Sequence, residues 1–299
     1  MNKLFLIFSL FLISFTSEAK LSVVTTTSDL AYLVKVVSKD QADVFSIAKG
    51  TQDPHQIEAK PSFMVKMRNA DLVIAQGLEL ESAWIIPLIQ GSRNNEISPG
   101  TKGFLELGDK LNPIEIPKVS ATRADGDVHP GGNPHFQLDP IRMGQAAVMI
   151  AKKMSELDSA NAKSYELNAQ NFKTHMEAKT KEWKSRIEKT GVKEVVTYHK
   201  TLTYFLSRFG IEGSAQLEPR PGIPPTANHL MEVIKVMKEK KINLVLIENF
   251  FDSSISSKIK ESLPAVRVVL VPIAVDGAKG MSTTEDVIEN LVKVIENKI

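Results

Sequence analysis

Three histidines stand far apart in the chain, each in a short stiffened context: His55 in Asp53-Pro54-His55, His135 in Asn133-Pro134-His135-Phe136, and His199 in Val196-Thr197-Tyr198-His199-Lys200. A neutral imidazole is the commonest protein metal ligand, and zinc prefers four ligands in a tetrahedron. There is no cysteine, so thiolate sites and disulfides are excluded. A compact zinc finger keeps its ligands close in sequence. Here they are spread over most of the chain, which points to a metal site in a cleft between two halves of a larger structure. Of the other histidines, His175 falls mid-helix between charged neighbours and reads as a solvated face. His229 lies near the start of a helix among core residues and reads as structural or surface. His129 is ambiguous.

A fourth ligand should come from the second half. Asp276 follows the last expected strand and precedes Gly277; Glu248 also ends a strand, and Glu218 sits in Leu217-Glu218-Pro219. The residues alone leave these three open. A glutamate that is not a ligand would still accept the second ring N–H of a histidine and fix its tautomer.

The elements that must position these groups alternate between strand and helix. Leu21–Thr26 reads as a buried strand, followed by an amphipathic helix capped at Ser28 or Asp29 with Leu30, Leu33, Val34 and Val37 on one face. Further strands are expected at 43–48, 71–75, 104–107, 194–198, 243–248 and 266–272. Helices are expected at 61–69, 81–89, 202–209, 226–240, 253–262 and 283–297. This is an α/β pattern of two lobes with mainly parallel sheets, whose strand ends would face each other across the cleft. From 140 to 189 there is no proline after Pro140 and Gly144 is the only glycine. That stretch reads as one long rigid connecting helix, with a break near Asp158-Ser159 or two ordinary helices as alternatives. Ser120–Gly132 lacks periodicity and reads as a loop. The expected layout is a leader at 1–19, an N-terminal lobe at 20–139, the connector at 140–189 and a C-terminal lobe at 190–299.

The leader reading rests on Lys3 followed by Leu4–Phe15, an apolar run too short to span a bilayer, closing with Ser17-Glu18-Ala19. With no lipobox cysteine, a periplasmic form without a lipid anchor is expected. Net charge is +2, which implies neither nucleic acid nor an acidic membrane surface as partner.

The chain resembles the substrate-binding receptors of bacterial zinc and manganese ABC transporters over essentially its whole length after the leader. The resemblance is carried by Asp53-Pro54-His55, Ala70-Asp71-Leu72-Val73 through Gly77-Leu78-Glu79-Leu80-Glu81, and Asn133-Pro134-His135-Phe136 with Leu138-Asp139-Pro140. It continues in Tyr198-His199-Lys200 running on to Phe205 and Gly210, Glu218-Pro219 through Gly222-Ile223-Pro224, and Ile247-Glu248. Their order and spacing together are specific, although each alone is weak. The resemblance implies two β/α lobes joined by a long helix and a ligand set of His55, His135, His199 and Asp276, with Glu248 in reserve. It implies a membrane permease as partner, transport rather than catalysis, and a monomer. Two departures stand out. The loop before the second ligand is short, with only Asp125, Asp127 and His129 to form an accessory site, and a plain solvated loop is the equal alternative. Gln137 stands where many relatives have an aromatic residue.

Three imidazoles and one carboxylate suit zinc, whereas manganese prefers more oxygen donors; zinc is the expected cargo and manganese the alternative. A secreted zinc hydrolase would need an open coordination position and a general base, and no His-Glu-x-x-His helix is present. A receptor for a small organic ligand would favour aromatics, which make up 6% of this chain. Nothing in the residues bears on an adhesin role.

Overall fold

Strand β1 (Leu21–Thr25) is buried except at Ser22, as expected of a parallel strand covered on both faces. The computed structural model describes residues 20–118 and 128–298; the expected leader, Asp125 and Asp127 lie outside the described residues. After β1 come α1 (Ser28–Ser38), β2 (Ala42–Ser46), α2 (Pro61–Arg68), β3 (Leu72–Ala75), α3 (Ile85–Ser92) and β4 (Phe104–Glu106). These form a parallel sheet of order β2-β1-β3-β4. The helix cap is Thr27, whose Oγ1 accepts the Leu30 N–H at 3.4 Å. Ser28 and Asp29 are turned to other work, described below.

Two helices follow, α4 (Pro140–Leu157) and α5 (Ala162–Glu188). The segment 140–189 is therefore not a single helix. Asp158 ends α4 and its carboxylate accepts hydrogen bonds from the Asn161 side chain at 2.8 Å and from Tyr165 Oη at 2.5 Å, which fixes the reversal. Gly144 then lies against the Lys173 backbone, where a Cβ would sit 3.0 Å from Lys173 Cα. The two helices thus run antiparallel. The long connecting helix is α5 alone, with Tyr165, Ala169, Phe172 and Met176 in the N-terminal core and Trp183 and Ile187 in the C-terminal core.

The second lobe repeats the plan with β5 (Glu194–Thr197), α6 (Thr203–Phe209), β6 (Glu212–Gln216), α7 (Ala227–Lys240), β7 (Leu244–Glu248), α8 (Ile255–Ser262), β8 (Arg267–Val271) and α9 (Thr284–Ile295). Its parallel sheet has the order β6-β5-β7-β8, so the two lobes share one strand order. In each, the order reverses beside the first strand, and the ends of β1/β3 and β5/β7 are where such sheets place ligands.

The lobes are also tied directly. Tyr204 of α6 packs into the N-terminal core and donates from Oη to the Asn133 carbonyl at 2.7 Å. Asp139, fully buried, receives hydrogen bonds from both Arg208 of α6 (3.0 and 2.8 Å) and Arg142 of α4. Among the described residues no helix is long and apolar enough to cross a membrane.

Candidate metal centre

The same local device presents two of the histidines. In Asp53-Pro54-His55 the Asp53 Oδ1 accepts the His55 backbone N–H at 3.0 Å, and in Asn133-Pro134-His135 the Asn133 Oδ1 accepts the His135 N–H at 2.9 Å. An Asx side chain closing a turn over a φ-fixed proline holds the following residue in one backbone geometry. His199 is presented differently, two residues beyond β5 at the switch point of the C-terminal sheet.

These three segments converge. His55, His135 and His199 each offer a ring nitrogen within 4.8 Å of those of the other two, and they are the group of metal-capable side chains found among the described residues. Their ring centroids are 5.2, 5.5 and 5.6 Å apart. Carboxylates fix two of the rings: His55 Nδ1–H donates to Asp53 Oδ1 at 2.8 Å and His199 Nδ1–H to Glu218 Oε2 at 2.7 Å. Each bond leaves the Nε2 lone pair for an ion, the usual arrangement behind a metal-binding imidazole. His135 is 2% exposed, and neither of its ring nitrogens has a hydrogen-bond partner among the described residues. An orphaned buried imidazole costs stability unless something binds it.

The electrostatics agree with a cation site. Burial drives His135 well below the ordinary histidine range, helped by the neighbouring His55 and His199, so it is neutral. Burial would also depress His199, but the hydrogen bond and charge of Glu218, with Glu248 and Asp53, outweigh it and raise the ring above its ordinary value. For Asp53 burial pushes upward, yet the hydrogen bond and charge of His55 hold the carboxyl below the usual range.

A fourth imidazole arrives as well. His129 Nε2 lies 3.2 Å from His55 Nε2, with its ring 5.3 Å from that of His55 and 6.4 Å from that of His135. Burial, then the charges of His55 and His199, lower it to about 4. It lines a cavity of about 260 Å³ whose walls include His135 and His199. A second cavity, of about 300 Å³, shares those two walls and adds Asp53, His55, Glu218 and Phe251.

The expected carboxylate ligand is not brought to this group. Asp276 is exposed, in a left-handed turn (φ +59°) whose N–H donates to the Met281 carbonyl at 2.6 Å. The turn is clamped from the N-terminal lobe: Ser28 Oγ donates to the Val275 carbonyl at 2.6 Å, and Asp29 Oδ1 accepts the Val275 N–H at 3.0 Å. Gly50 presses on the same turn, where a Cβ would fall 2.1 Å from the Val275 oxygen. Asp29, which the sequence offers only as a cap, is buried there, and burial raises it to about 7. Glu248 ends β7 fully buried, and burial pushes its carboxyl up. It lies within electrostatic reach of His199 but outside the three-histidine group. Gln137, buried, accepts from Gln76 Nε2 at 2.6 Å, so an amide pair occupies the place expected to be aromatic. His175 pairs with Glu285 at the surface and His229 Nε2 contacts the Gln216 carbonyl at 3.0 Å, neither near the site.

Two parallel α/β lobes that bring three imidazoles together define a two-lobed binding protein with a candidate metal site between its lobes. The chain belongs to the family described as zinc-uptake complex component A, periplasmic (ZnuA), whose sequence profile matches residues 23–298. It is thus a metal ABC transporter substrate-binding protein, a family of solute-binding receptors that serve a membrane permease. It is 24% identical over 290 residues to the manganese ABC transporter substrate-binding lipoprotein PsaA of Streptococcus anginosus, covering 94% of this chain and 90% of that one. It is 26% identical over 252 residues to the iron ABC transporter substrate-binding lipoprotein MtsA of Streptococcus pyogenes serotype M1, covering 82% and 76%. Among solved structures, a mutant of the laminin-binding adhesin Lmb of Streptococcus agalactiae matches with a TM-score of 0.76 at 26% identity, covering 93% of this chain and all of that one. These relatives are named for different metals, and two are named lipoproteins, whereas the present sequence contains no cysteine.

Proposed function

We propose that this protein is a periplasmic zinc receptor that captures Zn²⁺ between its lobes on His55, His135 and His199 and hands it to a permease without chemical conversion. The observation that carries this reading is the convergence of three imidazoles, with the ring nitrogens of buried His135 otherwise unpartnered. An all-nitrogen core suits zinc, while manganese favours oxygen donors. The receptor reading over catalysis is supported by the family, whose members are solute-binding receptors.

Elemental analysis of the purified protein, followed by competition titration of the stripped form with zinc, manganese and iron, tests the reading. One zinc per chain, preferred over the other two, supports it. Preference for manganese, or no metal bound, refutes it.

Acid should weaken the complex. A ligand must be neutral to bind, and the raised His199 is the ring that surrenders a proton to the ion. Neutral His135 surrenders none. Affinity is therefore full above the His199 value and lost as pH falls through it, by about tenfold per pH unit for each proton displaced. Titrations at pH 7, 6 and 5 should give a slope of at least one proton; a flat profile would remove His199 from the ligand set.

A further inference from the structure

We propose that His129 is the fourth ligand of the ion, so that the site is built from four imidazoles rather than three and a carboxylate; this rests on the zinc reading above. The decisive distance is the 3.2 Å between His129 Nε2 and His55 Nε2. Zinc–nitrogen bonds of 2.0–2.1 Å at tetrahedral angles set ligand nitrogens about 3.3–3.4 Å apart. The two rings already stand at about that spacing.

His129 is also held in place. Its carbonyl accepts the Gly132 N–H at 3.0 Å, and Asn133 N–H donates to the Ile114 carbonyl at 2.8 Å just beyond. The turn requires φ +108° at Gly132, where a Cβ would lie 2.9 Å from the Ile114 oxygen. This residue is therefore fixed at the site by the same short segment that leads into Asn133-Pro134-His135.

The carboxylate alternatives are placed less well. Asp276 is exposed in a turn clamped by Ser28, Asp29 and Gly50, and neither it nor Glu248 lines the two cavities at the histidines, whereas His129 lines one of them together with His135 and His199. Four neutral ligands leave the ion's charge to be balanced from outside the coordination sphere. Asp53 and Glu218, each bonded to a ligand ring at 2.8 and 2.7 Å, supply two negative charges there. The consequence is specificity: a fourth nitrogen in place of an oxygen tilts the site from manganese toward zinc.

The test compares wild type, His129→Ala, His129→Gln and Asp276→Ala by zinc and manganese titration, with X-ray absorption of the zinc-loaded forms to count imidazoles. Wild type should show four imidazoles and both His129 variants three. Their zinc affinity should fall at least about 100-fold, more than the loss of a group that merely orients a ligand, manganese affinity less, and Asp276→Ala should behave as wild type. Three imidazoles in wild type, or a large loss in Asp276→Ala with none in His129→Ala, overturns the proposal and leaves the receptor reading standing. A wild-type protein that binds no zinc overturns the receptor reading itself. Thermal melting of the metal-free variants identifies any that fail to fold, and the imidazole count of wild type decides the matter without them.

Discussion

His135→Ala should abolish tight zinc binding while leaving the metal-free protein as stable as before, or more so. Mutating a group that merely orients a metal ligand already costs about 10- to 100-fold in affinity, so removing a ligand should cost at least about 100-fold. The stability side follows from burial. His135 is nearly inaccessible and its two ring nitrogens have no partner among the described residues, so the metal-free fold carries an unsatisfied polar group that alanine removes. The cavity left behind offsets part of that gain. A 100-fold weaker complex loses about 2.7 kcal/mol of zinc-induced stabilisation, which should appear as several degrees less upward shift in Tm on adding zinc. Calorimetric titration and paired melts, with and without zinc, check both halves. A wild-type zinc shift in His135→Ala would show that the imidazoles are not the ligands.

Trp183→Ala should produce the largest loss of fold stability, about 3–5 kcal/mol. This indole is fully buried near the C-terminal end of α5, within the core of the second lobe. Its Nε1–H donates to Glu289 of α9 at 2.8 Å, and Glu289 is also paired with Arg186, which reaches Glu296 at 2.8 Å. Truncation empties a large core site and removes one bond of that network, though Arg186 still satisfies Glu289. A melt should fall by about 10 °C, at 2–4 °C per kcal/mol for a chain of roughly this size. Zinc affinity of the folded fraction at 25 °C should change by less than about threefold, because the indole touches no ligand. A parallel collapse of affinity would mean that the anchoring of α5 sets the ligand geometry.

Much of this arrangement was legible in the sequence. Alternating apolar strands and amphipathic helices give the α/β class, and the Asx-Pro-His turns mark two presenting segments because proline and an Asx side chain act locally. Three features needed the folded chain. Strand β6, Glu212-Gly213-Ser214-Ala215-Gln216, is an edge strand without β-branched residues, and it exists because β5 offers it a partner rather than through propensity of its own. A break near Asp158 was among the alternatives the sequence offered, but the full reversal there depends on Tyr165, seven residues on, closing a hydrogen bond. The outward position of Asp276 depends on Ser28 and Asp29, some 250 residues earlier, which hold Val275 from the other lobe. His129 is the converse case: an ambiguous loop residue by spacing, made a neighbour of His55 by the turn at Gly132.

Helix α5 belongs to both cores at once, with Phe172 and Met176 sunk in one and Trp183 and Ile187 in the other. A strut fixed at both ends behaves like the frame of a caliper and keeps the jaws at a set span. On the proposed ligand set, the ion's dwell time would be governed by swinging imidazole-bearing turns aside rather than by gaping of the whole body. Unassisted escape should then be slow and steeply temperature-dependent. If His55 and His135 hold the ion as proposed, a permease would have to act as a release catalyst, prying at the turns that carry them instead of waiting for the frame to spread.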